Sequence, residues 1–226
     1  MSFVPTDISD LWAWYDAAEG VTGGTSVTAW ADQSGNSHNL TAASGQEPEL
    51  ISSAINSLPA ISSYGLGAKM STAANFPDMS AGGTVFLVAK QSTTNGATNF
   101  DAGGVFIGAG SRVNMSIERD GSTTVQGGIR ATAALDCTTT VPEDTFVTIR
   151  LKHNGTTNAI AVNDGTENTS TPGASSYLAT PMQLFKTIAG AQGNKQIAEV
   201  LIYTKALSSL EIAQVESYLQ TKYAHY

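Results

Sequence analysis

Residues 26–42, SVTAWADQSGNSHNLTA, gather Trp30, Asp32, Asn36, His38 and Asn39 within ten positions. Two kinds of chemistry suit that set. In one, Asp32, Asn36 and Asn39 turn their oxygens inward and hold a calcium ion, a hard cation that wants several oxygen ligands. In the other, Asp32 accepts backbone N–H groups as an Asx turn, Gly35 takes positive φ, Asn36 tolerates the left-handed region and Trp30 packs inward. One carboxylate is few for calcium, so the structural turn is the preferred reading and calcium its rival.

Other reactive groups are sparse. The chain has three histidines, His38, His153 and His225. His153 precedes a hairpin turn and His225 is next to last; neither has metal-ligand spacing to another, which predicts that these two are solvated surface histidines. The single cysteine, Cys137, excludes an internal disulfide and reads as a small, partly buried residue. No G-x-S-x-G elbow is present, and GAQGNKQ (190–196) lacks the spacing of a phosphate-binding loop. Glu118 and Asp120 share one strand face, as a glycosidase pair would, but Asp120 precedes Gly121 and reads as a solvated turn charge. The sequence therefore predicts no catalytic residues and no enzyme.

Aromatic side chains are the remaining candidates, because exposed rings can stack on sugars. Trp12 and Trp14, in phase in LWAWYDA, and Trp30 read as buried anchors. The better-placed binding candidates are loop residues: Tyr64 in SSYGLG, Phe76 in ANFPDM and Tyr177 in ASSYLA.

The elements that must position these residues are strands. Charged residues make up 13% of the chain, about half the usual share. TVFLVAK (84–90) is a continuous apolar run, which predicts a strand buried on both faces. GGVFIGAG (103–110), RVNMSIERDG (112–121), MQLFKTIAG (182–190) and IAEVLIY (197–203) read as further strands. Residues 145–170 read as a hairpin with turns at Asn154-Gly155 and Asp164-Gly165, Val147, Ile149 and Leu151 alternating with polar Thr148, Arg150 and Lys152.

One helix is expected from about 209 to 222, within a C-terminal segment 208–223. Ser208 and Glu211 make a capping box, Leu207 and Ile212 a hydrophobic staple, and Ile212, Val215 and Leu219 a single apolar stripe. Gln214, Ser217, Thr221 and Lys222 fall outside that stripe. The pattern predicts one domain over 1–226, an all-β two-sheet antiparallel sandwich with a C-terminal helix. Residues 1–10 form an N-terminal arm whose Phe3-Val4 pair could pack on a neighbouring subunit, making a homo-oligomer possible.

Charge narrows the partners. With 11 Lys+Arg against 19 Asp+Glu the net charge is -8, which excludes nucleic acid and an anionic membrane surface. No stretch approaches the roughly 20 apolar residues of a membrane span. MSFVPTDISDLW has no positive n-region and reads as no signal peptide.

LWAWYDA, VTAWADQSGNSHNLT, LPAISSYG, TVFLVAK and IAEVLIYTKALSSLEIAQVESYLQTKY together resemble the LamG-like, concanavalin A-like jelly-roll modules of bacterial and phage proteins. The blocks run from residue 11 to 223. The resemblance implies a concave sheet face, binding loops along one rim and, in most cases, no catalysis. Glucanases of this fold carry E-x-D-x-x-E; here Glu118 and Asp120 are followed by Thr123, so the third acid is missing. The expected function is a non-enzymatic phage virion surface protein that binds surface glycans or attaches to virion proteins. A capsid decoration protein without ligand recognition is the alternative, and a glycoside hydrolase a distant one. The expected location is the phage particle, or else an extracellular or bacterial cell surface.

Overall fold

The computed structural model describes residues 3–63, 67–92, 106–108, 116–120, 124–128, 137–172, 177, 179–185 and 194–226. Among them run β1 (Leu11–Asp16), β2 (Val21–Thr22), β3 (Ala29–Trp30), β4 (Leu40–Ala42), β5 (Glu49–Ile55) and β6 (Leu58–Ser62). Next come β7 (Met70–Asn75), β8 (Gly83–Ser92), β9 (Phe106–Gly108), β10 (Ser116–Asp120), β11 (Thr124–Gly128) and β12 (Cys137–Thr140). The remainder are β13 (Val147–His153), β14 (Asn158–Val162), β15 (Asn168–Ser170), β16 (Pro181–Leu184), β17 (Asn194–Tyr203) and the helix α1 (Ser209–Tyr223).

The strands form two antiparallel sheets. One has the order β15-β14-β13-β8-β17-β6-β5, with β1 also on β17; the other runs β12-β11-β10-β9-β16-β7-β4-β3-β2. Their facing side chains make one core. Leu87, Ile149, Ile160, Val200 and Ile202 of the first sheet meet Trp30, Leu40, Met70, Met182 and Leu184 of the second, all buried.

The first sheet is covered on its other face as well. There Phe86, Val88, Leu201 and Tyr203 pack under Ile212, Val215, Leu219 and Tyr223 of α1. This second core explains the continuous apolar run in β8: Val85, Leu87 and Ala89 face the inter-sheet core, Phe86 and Val88 the helix. Ser208 caps the helix, its hydroxyl accepting from the Glu211 N–H while the Glu211 carboxylate accepts from the Ser208 N–H.

The same layer covers polar residues of β13. Thr148 and Arg150 are buried beside the helix and the C-terminus. Arg150 pairs with Glu216 of α1 and, at 3.1 Å, with Glu167, which also takes Lys152 at 3.0 Å. His153, expected at the surface, is 2% exposed. Its Nδ1 lies 2.8 Å from Asn158 Oδ1 and its Nε2 3.2 Å from the Ser80 carbonyl, so it ties the hairpin loop to the chain entering β8. His225 is likewise half-buried, with Nε2 2.9 Å from Thr148 Oγ1, and burial pushes its imidazole down to about 4.

The β13–β14 hairpin forms as expected, but the His153–Asn158 pair closes a four-residue loop. Gly155 takes positive φ there, while Asn154 Oδ1 accepts from the N–H groups of Thr156 and Thr157. The N-terminal arm does not project. Phe3 sits edge-on to Tyr218 at 6.1 Å, Pro5 is buried, and the Tyr203 hydroxyl donates to the Pro5 carbonyl at 3.1 Å. Of the apolar pair the helix covers Phe3, while Val4 stays 41% exposed. Among the described residues no helix is long and apolar enough to cross a membrane.

Two β-bulges interrupt strand phase. On β1, Leu11 pairs with Tyr203 and Ala13 with Ile202, which leaves Trp12 as an extra residue. On β17, Ile197 pairs with Ala89 and Glu199 with Val88, which leaves Ala198 extra. The bulge on β1 turns Trp12, and that on β17 turns Ile197, to the inter-sheet face that alternation with the rest of the strand denies it.

Candidate binding site

Strand registers bring several connections to one end of the sandwich. Leu40 opens β4 beside Thr72 of β7, Pro181 opens β16 beside Asn75, and residues 76–82 cross from there to the start of β8. On the facing sheet Thr84 lies beside Tyr203, Tyr203 beside Leu11, and Gly83 beside His153. The turn after β3 and the candidate Tyr177 therefore occupy the same rim.

The turn is built around Asp32, whose side chain is fully buried. Oδ1 accepts from the N–H of Trp14 and of Ser34, each at 2.9 Å. Oδ2 accepts from the Ser34 hydroxyl at 2.8 Å and the His38 N–H at 3.0 Å. Four donors saturate a carboxylate. The Asn36 amide donates to the carbonyls of Leu11 and Trp12, and Asn39 Oδ1 accepts the Asp32 N–H at 2.9 Å. Both carboxylate oxygens of Asp32 and the Asn39 Oδ1 thus accept bonds within the turn, as the structural-turn reading expects. Among the described residues no group of three or more His, Cys, Asp or Glu is arranged to hold a metal ion. The left-handed residues are Gly35 and Ser37, not Asn36. The buried Tyr15 hydroxyl donates to the His38 carbonyl, and burial, helped by the Asp32 charge, holds it protonated far above its ordinary range.

An aromatic chain grows from this turn. The His38 ring stacks on Trp12 with centroids 4.2 Å apart and planes 21° apart. His38 Nδ1 lies 2.7 Å from the Trp12 carbonyl; a carbonyl only accepts, so the proton is on Nδ1. Phe76 meets Trp12 edge-on at 5.6 Å, and the Tyr177 hydroxyl donates to the Phe76 carbonyl at 2.7 Å. The bulge on β1 makes this possible. It sends Trp12 against the inter-sheet core while Trp14 turns to the helix side, so the two tryptophans are not in phase.

Of the loop candidates, Phe76 is 1% exposed and belongs to the core. It comes directly after β7 and fills the space between the sheets, which a loop assignment from Asn-Phe-Pro conceals. Tyr177 is 39% exposed, and its spent hydroxyl leaves its ring outward as the polar end is held. Tyr64 lies outside the described residues. Trp12, read as a core anchor, and His38 are half-buried members of the rim. Among the described residues, Trp12 Nε1 and His38 Nε2 have no hydrogen-bond partner, and neither is sealed from solvent. The rim can therefore offer ring surface, one N–H donor and one imidazole acceptor to a ligand.

Glu118 and Asp120 lie two apart on β10, opposite Gln126 and Thr124. Asp120 ends the strand instead of standing in the turn; the side chains of both acids lie outside the described residues.

The chain matches no protein-family model and no curated protein sequence. Its fold matches solved structures. The binding domain of Paraclostridial Mosquitocidal Protein 1 superposes with a TM-score of 0.69 at 11% identity, over 96% of this chain and 53% of that one. The binding domain of botulinum neurotoxin DC in complex with SialylT gives 0.70 at 10% identity, over 96% and 53%. Trypanosoma rangeli sialidase in complex with sialic acid gives 0.65 at 13% identity, over 95% and 33%. The chain spans about half the length of the two binding domains and a third of the sialidase. At these identities the likeness establishes a shared β-sandwich fold.

Proposed function

We propose that this chain is a lectin-like sandwich module, LamG-like in kind, that binds surface carbohydrate at the rim of Trp12, His38 and Tyr177 and does no chemistry on it. The observation that carries this reading is the pairing of aromatic surface with polar atoms on one rim: an exposed Tyr177 ring, tied through the Phe76 carbonyl to the Trp12–His38 stack, whose Nε1 and Nε2 have no partner among the described residues. Sugars present both apolar C–H faces and hydroxyls, and binding sites for them pair ring surface with a few fixed polar groups. Structural neighbours in complex with SialylT and with sialic acid support a carbohydrate ligand. The setting we propose is the surface of a phage particle, where the module would bind glycans or neighbouring virion proteins; an extracellular or bacterial surface is the alternative. A glycan array on the purified protein tests the reading. We expect at least one glycan class to bind, Trp12→Ala, His38→Ala and Tyr177→Ala each to weaken it by about tenfold, equivalent to about 1.4 kcal/mol, and the circular dichroism to stay native. Binding that survives all three changes moves the site elsewhere. No binding at all favours the decoration reading, and release of free sugar overturns the non-enzymatic one.

A further inference from the structure

Beneath the last turn of α1 lies a second cluster, away from the rim. Glu199 stands in phase with Leu201 and Tyr203 of β17, on the helix side of the sheet. Its strand partner on β1 is Asp16, so two buried carboxylates stand directly opposite each other, at 1% and 5% exposure. Like charges so placed repel. Lys222 of α1 lies between them: Nζ contacts Asp16 Oδ2 and sits 2.8 Å from Glu199 Oε2.

The two acids are held differently. Glu199 accepts from Trp14 Nε1 at 2.7 Å, from the Tyr218 hydroxyl at 2.8 Å and from the Tyr223 hydroxyl at 2.7 Å. Burial, then the Glu199 charge, holds both tyrosines protonated, so they remain donors. Asp16 Oδ2 has Lys222 alone, while Oδ1 accepts the Ala18 N–H at 2.9 Å. Burial pushes the Glu199 carboxyl up against the opposing pull of Lys222, which suits a group that takes and returns a proton.

We propose that Lys222 and Asp16 join as an intramolecular amide, with Glu199 as the proton shuttle. The Lys222 ammonium first passes a proton to the Asp16 carboxylate. The Nζ lone pair then attacks Cγ, and the Ala18 N–H stabilises the charge that develops on Oδ1. Glu199 takes a proton from Nζ and returns it to the departing Oδ2 hydroxyl. The C–N bond forms, the C–O bond breaks, one water leaves, and Glu199 ends as it began. No oxidant or cofactor is needed. The product staples the first strand of the sandwich to its last helix, across 206 positions of chain.

Mass spectrometry of the purified full chain tests this. We expect an intact mass lower by one water than the sequence, and a branched peptide joining the Asp16 segment to the Lys222 segment after digestion. Cyclisation at Asp120-Gly121 or Asp164-Gly165 would also lose water but gives no branched peptide, so the peptide decides. Glu199→Gln and Lys222→Arg should restore the full mass, and their Tm should fall by about 10–20 °C as the cross-link's constraint on the unfolded chain is lost. A native protein without the branched peptide overturns the proposal, whether or not the variants fold. A fully linked Glu199→Gln protein overturns the role of Glu199, and a branch at residue 199 in place of 16 overturns the choice of acid.

Discussion

Replacing Asp32 with alanine removes the centre of the rim turn at once. Four donors lose their acceptor: the N–H groups of Trp14, Ser34 and His38, and the Ser34 hydroxyl. Hydrogen bonds to a charged group are each worth about 1.5–3 kcal/mol. The simple sum overstates the loss, because the sites are part-buried and water can reach Ser34. Counting Trp14 and His38 near full value and Ser34 at little gives about 3–5 kcal/mol, or a Tm lower by roughly 10 °C in a domain of this size. Asp32→Asn is an internal standard. It keeps one acceptor oxygen and should cost about half as much. The assay is urea unfolding of all three proteins, with the slope checked so that the midpoint reports stability alone. The measurement is repeated with calcium and with a chelator, and no difference is expected. A loss below about 1 kcal/mol for the alanine variant, or a native midpoint that drops on chelation, would refute the reasoning.

Burial of the two chain ends carries two more predictions. His225 is depressed to about 4, so between that value and the ordinary 6.5 the unfolded chain binds a proton the folded chain does not. Its contribution to stability is complete above the ordinary value and is lost as pH falls through that window; His225→Gln should flatten the pH dependence of urea midpoints there, and an unchanged profile would count against the burial. Deleting residues 1–6 removes the contact of Phe3 with Tyr218 and the bond from Tyr203 to Pro5. The deletion should lower stability by about 2–3 kcal/mol by urea unfolding, and a midpoint within error of the full chain would mean that the arm is loose in solution.

Much of the frame was legible because local signals agreed with the global fold. The capping box at Ser208, the stripe at Ile212, Val215 and Leu219, and the doubly apolar β8 each specify an element that formed. The burial of polar residues on β13 was not legible, for a physical reason. The helix that covers Thr148 and Arg150 supplies Glu216, and a neighbouring segment Glu167, so the guanidinium is buried with its charge matched. His153 was misread for the same kind of reason: its burial depends on the Ser80 carbonyl, a contact across 73 positions that no local pattern announces. Asp32 was legible as a turn centre, because an Asp two residues before Ser34-Gly35-Asn36 can accept the N–H two positions on and Gly35 supplies the positive φ.

The rim depends on a cause that periodicity cannot show. Strand reading assumes that side chains alternate without fault, so it kept Trp12 in phase with Trp14. Trp12 lies at a bulge, where one extra position reverses the face of the residues beyond it. Without that bulge Trp12 would join Trp14 on the helix side and His38 would have no ring to stack on. Glu199 needs no such device: alternation with Leu201 and Tyr203 already turns it to the helix side. On the other face, among Leu87, Ile149 and Ile202, it would be a buried charge with no donor. On the helix side the carboxylate is tolerable because Trp14, Tyr218, Tyr223 and Lys222 meet it together. The strand phase and the four donors therefore require one another.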